Sequence, residues 1–131
     1  MIPPPERPRC VAIVDDHEPF RRGICALLGA RGYTACDFDS VPRFIESGAM
    51  SRIDCLILDV AMPEIDGLAL HACLRQTNYQ FPVIFCTGYD ADDRIRNALA
   101  EGAVGVLQKP VDPKTLLDAV ASACARSSGR P

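Results

Sequence analysis

Apolar residues along the chain fall into two kinds of pattern. Continuous apolar runs occur at residues 10–14 (CVAIV), 55–58 (CLIL) and 82–86 (PVIFC), with shorter mixed runs at 33–38 and 103–107. Runs of this length without a helical period read as strands, and the unbroken ones as strands buried on both faces. Between them, apolar residues recur at helical spacing. Phe20, Ile24, Leu27 and Leu28 form one such stripe, closed by Gly32 as a C-terminal stop. Ser40 reads as an N-cap with Pro42 in the first turn of a short helix to about Ser47. Leu68, Leu70, Ala72, Cys73 and Leu74 carry a third helix after the Asp66-Gly67 turn. Residues 90–101 form a fourth, with Asp90 and Asp93 as a capping-box pattern and Gly102 as its stop. Leu116, Leu117, Val120 and Cys124 carry a fifth behind the Asp112-Pro113 start signal.

Five strands thus alternate with five helices. Short connections between them imply right-handed parallel βαβ units, with helices on both faces of one sheet. The expected architecture is a flavodoxin-like, doubly wound α/β fold with strand order 2-1-3-4-5. One domain spans residues 9–125. A proline-rich, flexible tail precedes it at 1–8, and 126–131 is a tail or the start of a linker.

Composition narrows the function classes. The chain has 131 residues, 48% hydrophobic, with a formal charge of −3. This is a globular composition with room for a core, and it carries no basic stripe for nucleic acid. No apolar run approaches membrane-spanning length and the start is no signal peptide, so the expected setting is cytoplasmic. The cysteines number seven, form no C-x-x-C pair and lie mostly in apolar runs. They read as reduced, buried small hydrophobes rather than a zinc or disulfide framework.

The chemistry sits where strands end. The first run ends in Asp15 and Asp16, the third in Asp59, the fourth in Thr87, and the fifth runs through Gln108 into Lys109. In a parallel sheet these carboxyl ends share one edge, which is where ligands bind in open α/β folds. Each residue has a plainer reading alone: helix capping for Asp15 and Asp16, a loop acid for Asp59, a turn hydroxyl for Thr87, a surface cation for Lys109. Their coincidence on one edge is what favours a site. Three carboxylates together repel one another and call for a cation, and an all-oxygen set suits Mg²⁺ or Mn²⁺. A carboxylate beside such a cation can act as a nucleophile and form an aspartyl phosphate, with Lys109 offsetting phosphoryl charge.

These residues resemble the receiver domain of two-component response regulators, the CheY-like superfamily. The motifs are VDD at 14–16, LDVAMPEIDG at 58–67, TG at 87–88 and KP at 109–110, and the likeness covers roughly residues 9–125. The resemblance implies that Asp59 is the phosphoacceptor and that Asp15 and Asp16 hold Mg²⁺. It implies that Ala61 offers its backbone carbonyl to the metal, that Thr87 is the switch hydroxyl and that Lys109 contacts the phosphate. A cis Lys109-Pro110 bond is also implied. So is a phosphorelay role: a sensor histidine kinase or phosphotransfer protein as donor, and a partner face, including a route to homodimers, on the fourth helix, fifth strand and fifth helix. Arg94 and Arg96 are candidates on that face. One position departs from the family: Val106 stands where receivers commonly carry an aromatic, three residues before the lysine. That loosens the expected coupling between Thr87 and the fifth strand.

Other functions fit less well. A phosphohydrolase of the haloacid dehalogenase type needs a second aspartate two residues after the nucleophile, where this chain has Ala61, so a turnover enzyme is not expected. A flavin or nucleotide module wants a glycine- or hydroxyl-rich loop after the first strand, and VDDHEPFRRG offers acids. A degenerate receiver that only docks partners is the alternative that keeps the fold. His17 adjoins the acidic pair, and it and His71 have no matching metal partners in the sequence.

Overall fold

The computed structural model describes residues 8–59, 81–88 and 104–128. Five strands make one sheet: β1 (Cys10–Val14), β2 (Thr34–Phe38), β3 (Cys55–Asp59), β4 (Val83–Thr87) and β5 (Gly105–Gln108). Their order is β2-β1-β3-β4-β5, and every neighbouring pair is parallel. The doubly wound order expected from the sequence is the one observed. The described helices are α1 (Glu18–Ala30), α2 (Val41–Glu46) and α3 (Pro113–Ser128), with a single 3-10 turn at Ala49–Ser51 that the sequence pattern does not announce. The helices expected at 68–74 and 90–101 lie outside the described residues, as do Ala61, His71, Cys73, Arg94 and Arg96.

The continuous apolar runs are explained by a core on each face of the sheet. Side chains alternate across a strand, so odd and even positions part company. Val11 and Ile13 of β1, Cys55 and Ile57 of β3, and Ile84 and Cys86 of β4 pack against Ile24 and Leu28 of α1 and Leu116, Val120, Ala123 and Cys124 of α3. Ala12, Val14, Leu56, Leu58, Val83 and Phe85 face the other way, toward Val41 and Phe44 of α2. The edge strand β2 is only half-buried, and its Asp37 is paired with Arg21 of α1 at 2.8 Å.

Helix ends follow their sequence signals. Ser40 Oγ accepts the Arg43 N–H at 3.3 Å, and Asp112 Oδ2 accepts the Thr115 N–H at 2.9 Å. After α1, Gly32 adopts φ 88°, the Gly32 N–H donates to Gly29 O, and the Tyr33 N–H donates to Leu28 O. That is a Schellman closure, and its left-handed residue is the expected glycine.

Several boundaries differ from the sequence reading. The β4 strand begins and ends one residue later than 82–86, and β5 runs Gly105–Gln108 rather than 103–107. The β3 strand includes Asp59, which is in register with Cys86. Strand ends are fixed by the neighbour's hydrogen bonds, not by the end of an apolar run. The α3 helix continues through Ser128, past the expected end near Cys124, because no helix breaker occurs before Gly129.

Candidate functional site

Asp15 leaves β1 with its backbone still tied to the sheet, the Asp15 N–H donating to Phe38 O at 3.1 Å. Asp59 is the last residue of β3 and Thr87 the last of β4. Lys109 follows β5 directly, and its N–H donates to Thr87 O at 2.7 Å. The carboxyl edge therefore gathers all five residues that the sequence singles out there. One carboxylate oxygen from each of Asp15, Asp16 and Asp59 lies within 4.8 Å of the others. Asp15 and Asp59 are buried, at 1% and 8% exposure, while Asp16 is exposed. Thr87 is 2% exposed. Such burial excludes the reading of Asp59 as a solvated loop acid.

One ammonium offsets these acids. Lys109 Nζ stands 2.7 Å from Asp15 Oδ2 and 3.9 Å from Asp59 Oδ2. Partial burial pulls the Lys109 pKa down, but the hydrogen bond to Asp15 and the charges of Asp15 and Asp59 outweigh it and leave the pKa above the ordinary lysine value. Lys109 is therefore a cation at any physiological pH. The Lys109-Pro110 bond is cis, as the resemblance implied.

Asp15 also has a local task. Its Oδ1 accepts the His17 N–H at 2.8 Å, and His17, the N-cap of α1, makes no side-chain capping bond itself. Asp15 thus forms a local turn ahead of α1 rather than a helix cap, and its two oxygens serve different partners. The neighbouring thiol does not compete as a nucleophile. Burial pushes the Cys86 pKa up to about 12; Lys109 lowers it, and Asp15 and Asp59 raise it further. The six described cysteines are all free thiols.

Sequence reasoning missed two residues that hold the site. Arg21 Nη1 donates to Asp15 O at 3.0 Å, and its Nε donates to Asp37 Oδ2 at 2.8 Å, so one guanidinium ties the end of β1 to β2. Phe20 places its ring under Lys109, with Nζ 4.5 Å from the centroid. Both belong to the first turn of α1, where Phe20 read as part of the apolar stripe and Arg21 carried no signal. A third missed residue, the acid Asp54, is buried at the opposite edge of the sheet and accepts the Cys10 N–H at 2.8 Å. Its role is to start β1.

An all-oxygen cluster with an excess of negative charge fits a hard divalent cation that keeps some of its waters. Among the described residues no buried side-chain nitrogen or oxygen lacks a partner. No helix of the described residues is long and apolar enough to cross a membrane.

Comparison with known proteins bears on this arrangement. The pattern of the family described as the response regulator receiver domain matches residues 11–121. Nodulation protein W of Bradyrhizobium diazoefficiens is 33% identical over 120 residues, covering 92% of this chain and 53% of that protein. The transcriptional regulatory protein TdiR of Thauera aromatica is 32% identical over 115 residues, covering 88% of this chain and 51% of that one. The chain thus spans about half the length of these relatives. The structure of the chemotaxis protein CheY4 of Vibrio cholerae superposes with a TM-score of 0.79 at 28% identity, over 88% of this chain and 98% of that one. Strand order, acidic edge and matched span agree, and the chain belongs to the family of receiver domains of two-component response regulators.

Proposed function

We propose that this receiver takes a phosphoryl group onto Asp59. The observation that carries the reading is the convergence of the Asp15, Asp16 and Asp59 carboxylates, each with an oxygen within 4.8 Å of the others, beside the Lys109 ammonium. A carboxylate oxygen of Asp59 forms the new bond to phosphorus as the bond from phosphorus to the donor nitrogen breaks, and the electron pair leaves with that nitrogen. Lys109 offsets the charge of the phosphoryl oxygens, and the Thr87 hydroxyl donates to one of them once the group has arrived. Asp15 and Asp16, with Asp59 and the backbone carbonyl of Ala61, form the proposed set for Mg²⁺ or Mn²⁺. The ion, when bound, supplies Lewis-acid neutralisation of the phosphoryl charge.

The donor in this reading is the phosphohistidine of a sensor histidine kinase or phosphotransfer protein. The product is an acyl phosphate that biases a two-state surface, so the protein serves as an acceptor and not as a turnover enzyme. The unit that does this spans 9–125. Its partner face, which includes the route to a homodimer, is the one made by the helix expected at 90–101, β5 and α3. Nucleic acid and membrane are not its direct partners, and the cytoplasm is its setting. The docking-only alternative is not favoured, because the acids and the lysine that chemistry needs are all present and assembled.

The test is intact mass after incubation with acetyl phosphate and Mg²⁺. Wild type gains one phosphoryl group; Asp59→Asn, and wild type without Mg²⁺, gain none. A folded wild type that stays unmodified with both acetyl phosphate and a phosphorylated histidine donor would overturn the reading.

A further inference from the structure

Phe20 lies on the first turn of α1, half-buried against the core that α1 shares with α3. Position alone makes it a core-filling residue. Its contact with Lys109 asks for more. The same ammonium that stands 2.7 Å from Asp15 Oδ2 and 3.9 Å from Asp59 Oδ2 lies 4.5 Å from the Phe20 ring centroid. Lys109 is therefore held by three elements at once: the end of β1, the end of β3 and the start of α1.

We propose that Phe20 is a positioning residue for Lys109, keeping its ammonium at the site when a divalent cation occupies the acidic cluster. The inference rests on the phosphoacceptor reading above. A cation held by Asp15 and Asp59 draws on the carboxylates that Lys109 now contacts, and its own charge repels the ammonium. Both carboxylate contacts of Lys109 therefore weaken at the moment the site is loaded. The ring contact does not. An aromatic face carries a negative quadrupole, and its attraction for an ammonium draws on no carboxylate oxygen. The lysine stem can lie along the same ring while its head stays polar. An aliphatic side chain at position 20 would fill the core but offer no such face, and Lys109, a flexible chain, would be free to leave for solvent.

The full chain is used for the test, as wild type, Phe20→Leu and Phe20→Tyr; Phe20→Met replaces the leucine variant if that one does not fold. Two readouts are taken. The first is the NMR shift of the Lys109 ε-methylene, assigned by comparison with Lys109→Arg, with and without saturating Mg²⁺. The second is the rate of Asp59 phosphorylation by acetyl phosphate at saturating Mg²⁺, together with the Mg²⁺ concentration at half-maximal rate. In wild type and Phe20→Tyr the ε-methylene is shifted upfield by the ring, and Mg²⁺ leaves that shift in place. In Phe20→Leu the shift is gone and the saturating rate falls roughly two- to tenfold, the range expected for one cation–π contact, with the half-maximal Mg²⁺ concentration unchanged.

Loss of the wild-type ring shift on adding Mg²⁺ overturns the proposal. So does an equal drop in rate for Phe20→Leu and Phe20→Tyr, which would mark Phe20 as core only. A wild type that takes no phosphoryl group refutes the phosphoacceptor reading instead, and the Mg²⁺ dependence of the ring shift still decides the role of Phe20.

Discussion

Asp15 divides its two oxygens between two jobs: Oδ1 holds the start of α1 through His17, and Oδ2 holds Lys109. Asp59 is buried beside two other acids, with Lys109 Nζ 3.9 Å from its Oδ2. Three carboxylates this close repel one another in the absence of a cation. Asp59→Asn keeps the shape and removes one of three repelling charges, while Lys109 keeps its shorter contact with Asp15. The substitution should raise unfolding stability by about 1 kcal/mol, read as a higher urea midpoint at unchanged slope in metal-free buffer. Mg²⁺ should stabilise wild type and leave the variant much less affected. The acids were legible in the sequence because a charged residue ends an apolar run. Phe20 and Arg21 were not, because their work depends on which strand lies beside β1. Arg21 reaches Asp37 only because Val14 is in register with Phe38, and no spacing along the chain encodes that.

At the scale of elements, the sequence carried strand order and cap chemistry further than strand ends. Ser40, Asp112 and Gly32 were each readable, since each satisfies or frees particular backbone groups that a helix end must handle. The one- and two-residue shifts of β4 and β5 were not, because their ends are set across the ladder, as with the Lys109 N–H on Thr87 O. The 3-10 turn at Ala49–Ser51 escaped for a related reason: its Gly48 start and its hydroxyl contacts are local, without an apolar period. Gly32 offers a clean test of the Schellman closure. A Cβ there would meet nothing within 4 Å, yet φ is +88°, so any cost comes from the backbone alone. Gly32→Ala should lower stability by about 1 kcal/mol, whereas Gly29→Ala, inside α1 with the same open space, should raise it by up to about 1 kcal/mol. Thermal unfolding of the pair distinguishes the two.

The whole molecule should be sensitive to alkali through its thiols. Burial raises the pKa of Cys25 and Cys124 to about 11 and of Cys36 and Cys86 to about 12, and raises Cys55 as well. The unfolded thiols ionise near their ordinary value while the folded ones stay protonated, so above that value the unfolded state binds fewer protons and stability falls as pH rises. Full stability is present below about pH 8.5, and it declines progressively toward pH 11. The raised pKa of Lys109 acts in the same sense, adding stability that disappears as pH climbs through its folded value. Urea midpoints at neutral pH and at two alkaline values check this; a flat profile would mean that the thiols are solvated. Below that range the same thiols should react slowly with disulfide reagents unless urea opens the fold.

The two cores on opposite faces of one sheet have a consequence for how such a protein changes over generations. Phe20 and Arg21, which brace the acidic edge, both come from α1, on the face shared with α3. The α2 face supplies Val41 and Phe44 to its own core. Substitutions there can accumulate and reshape the outer surface without repacking the layer that holds Lys109 and Asp15. Drift on the α2 face is thereby separated, by one layer of backbone, from the inheritance of what the acidic edge does.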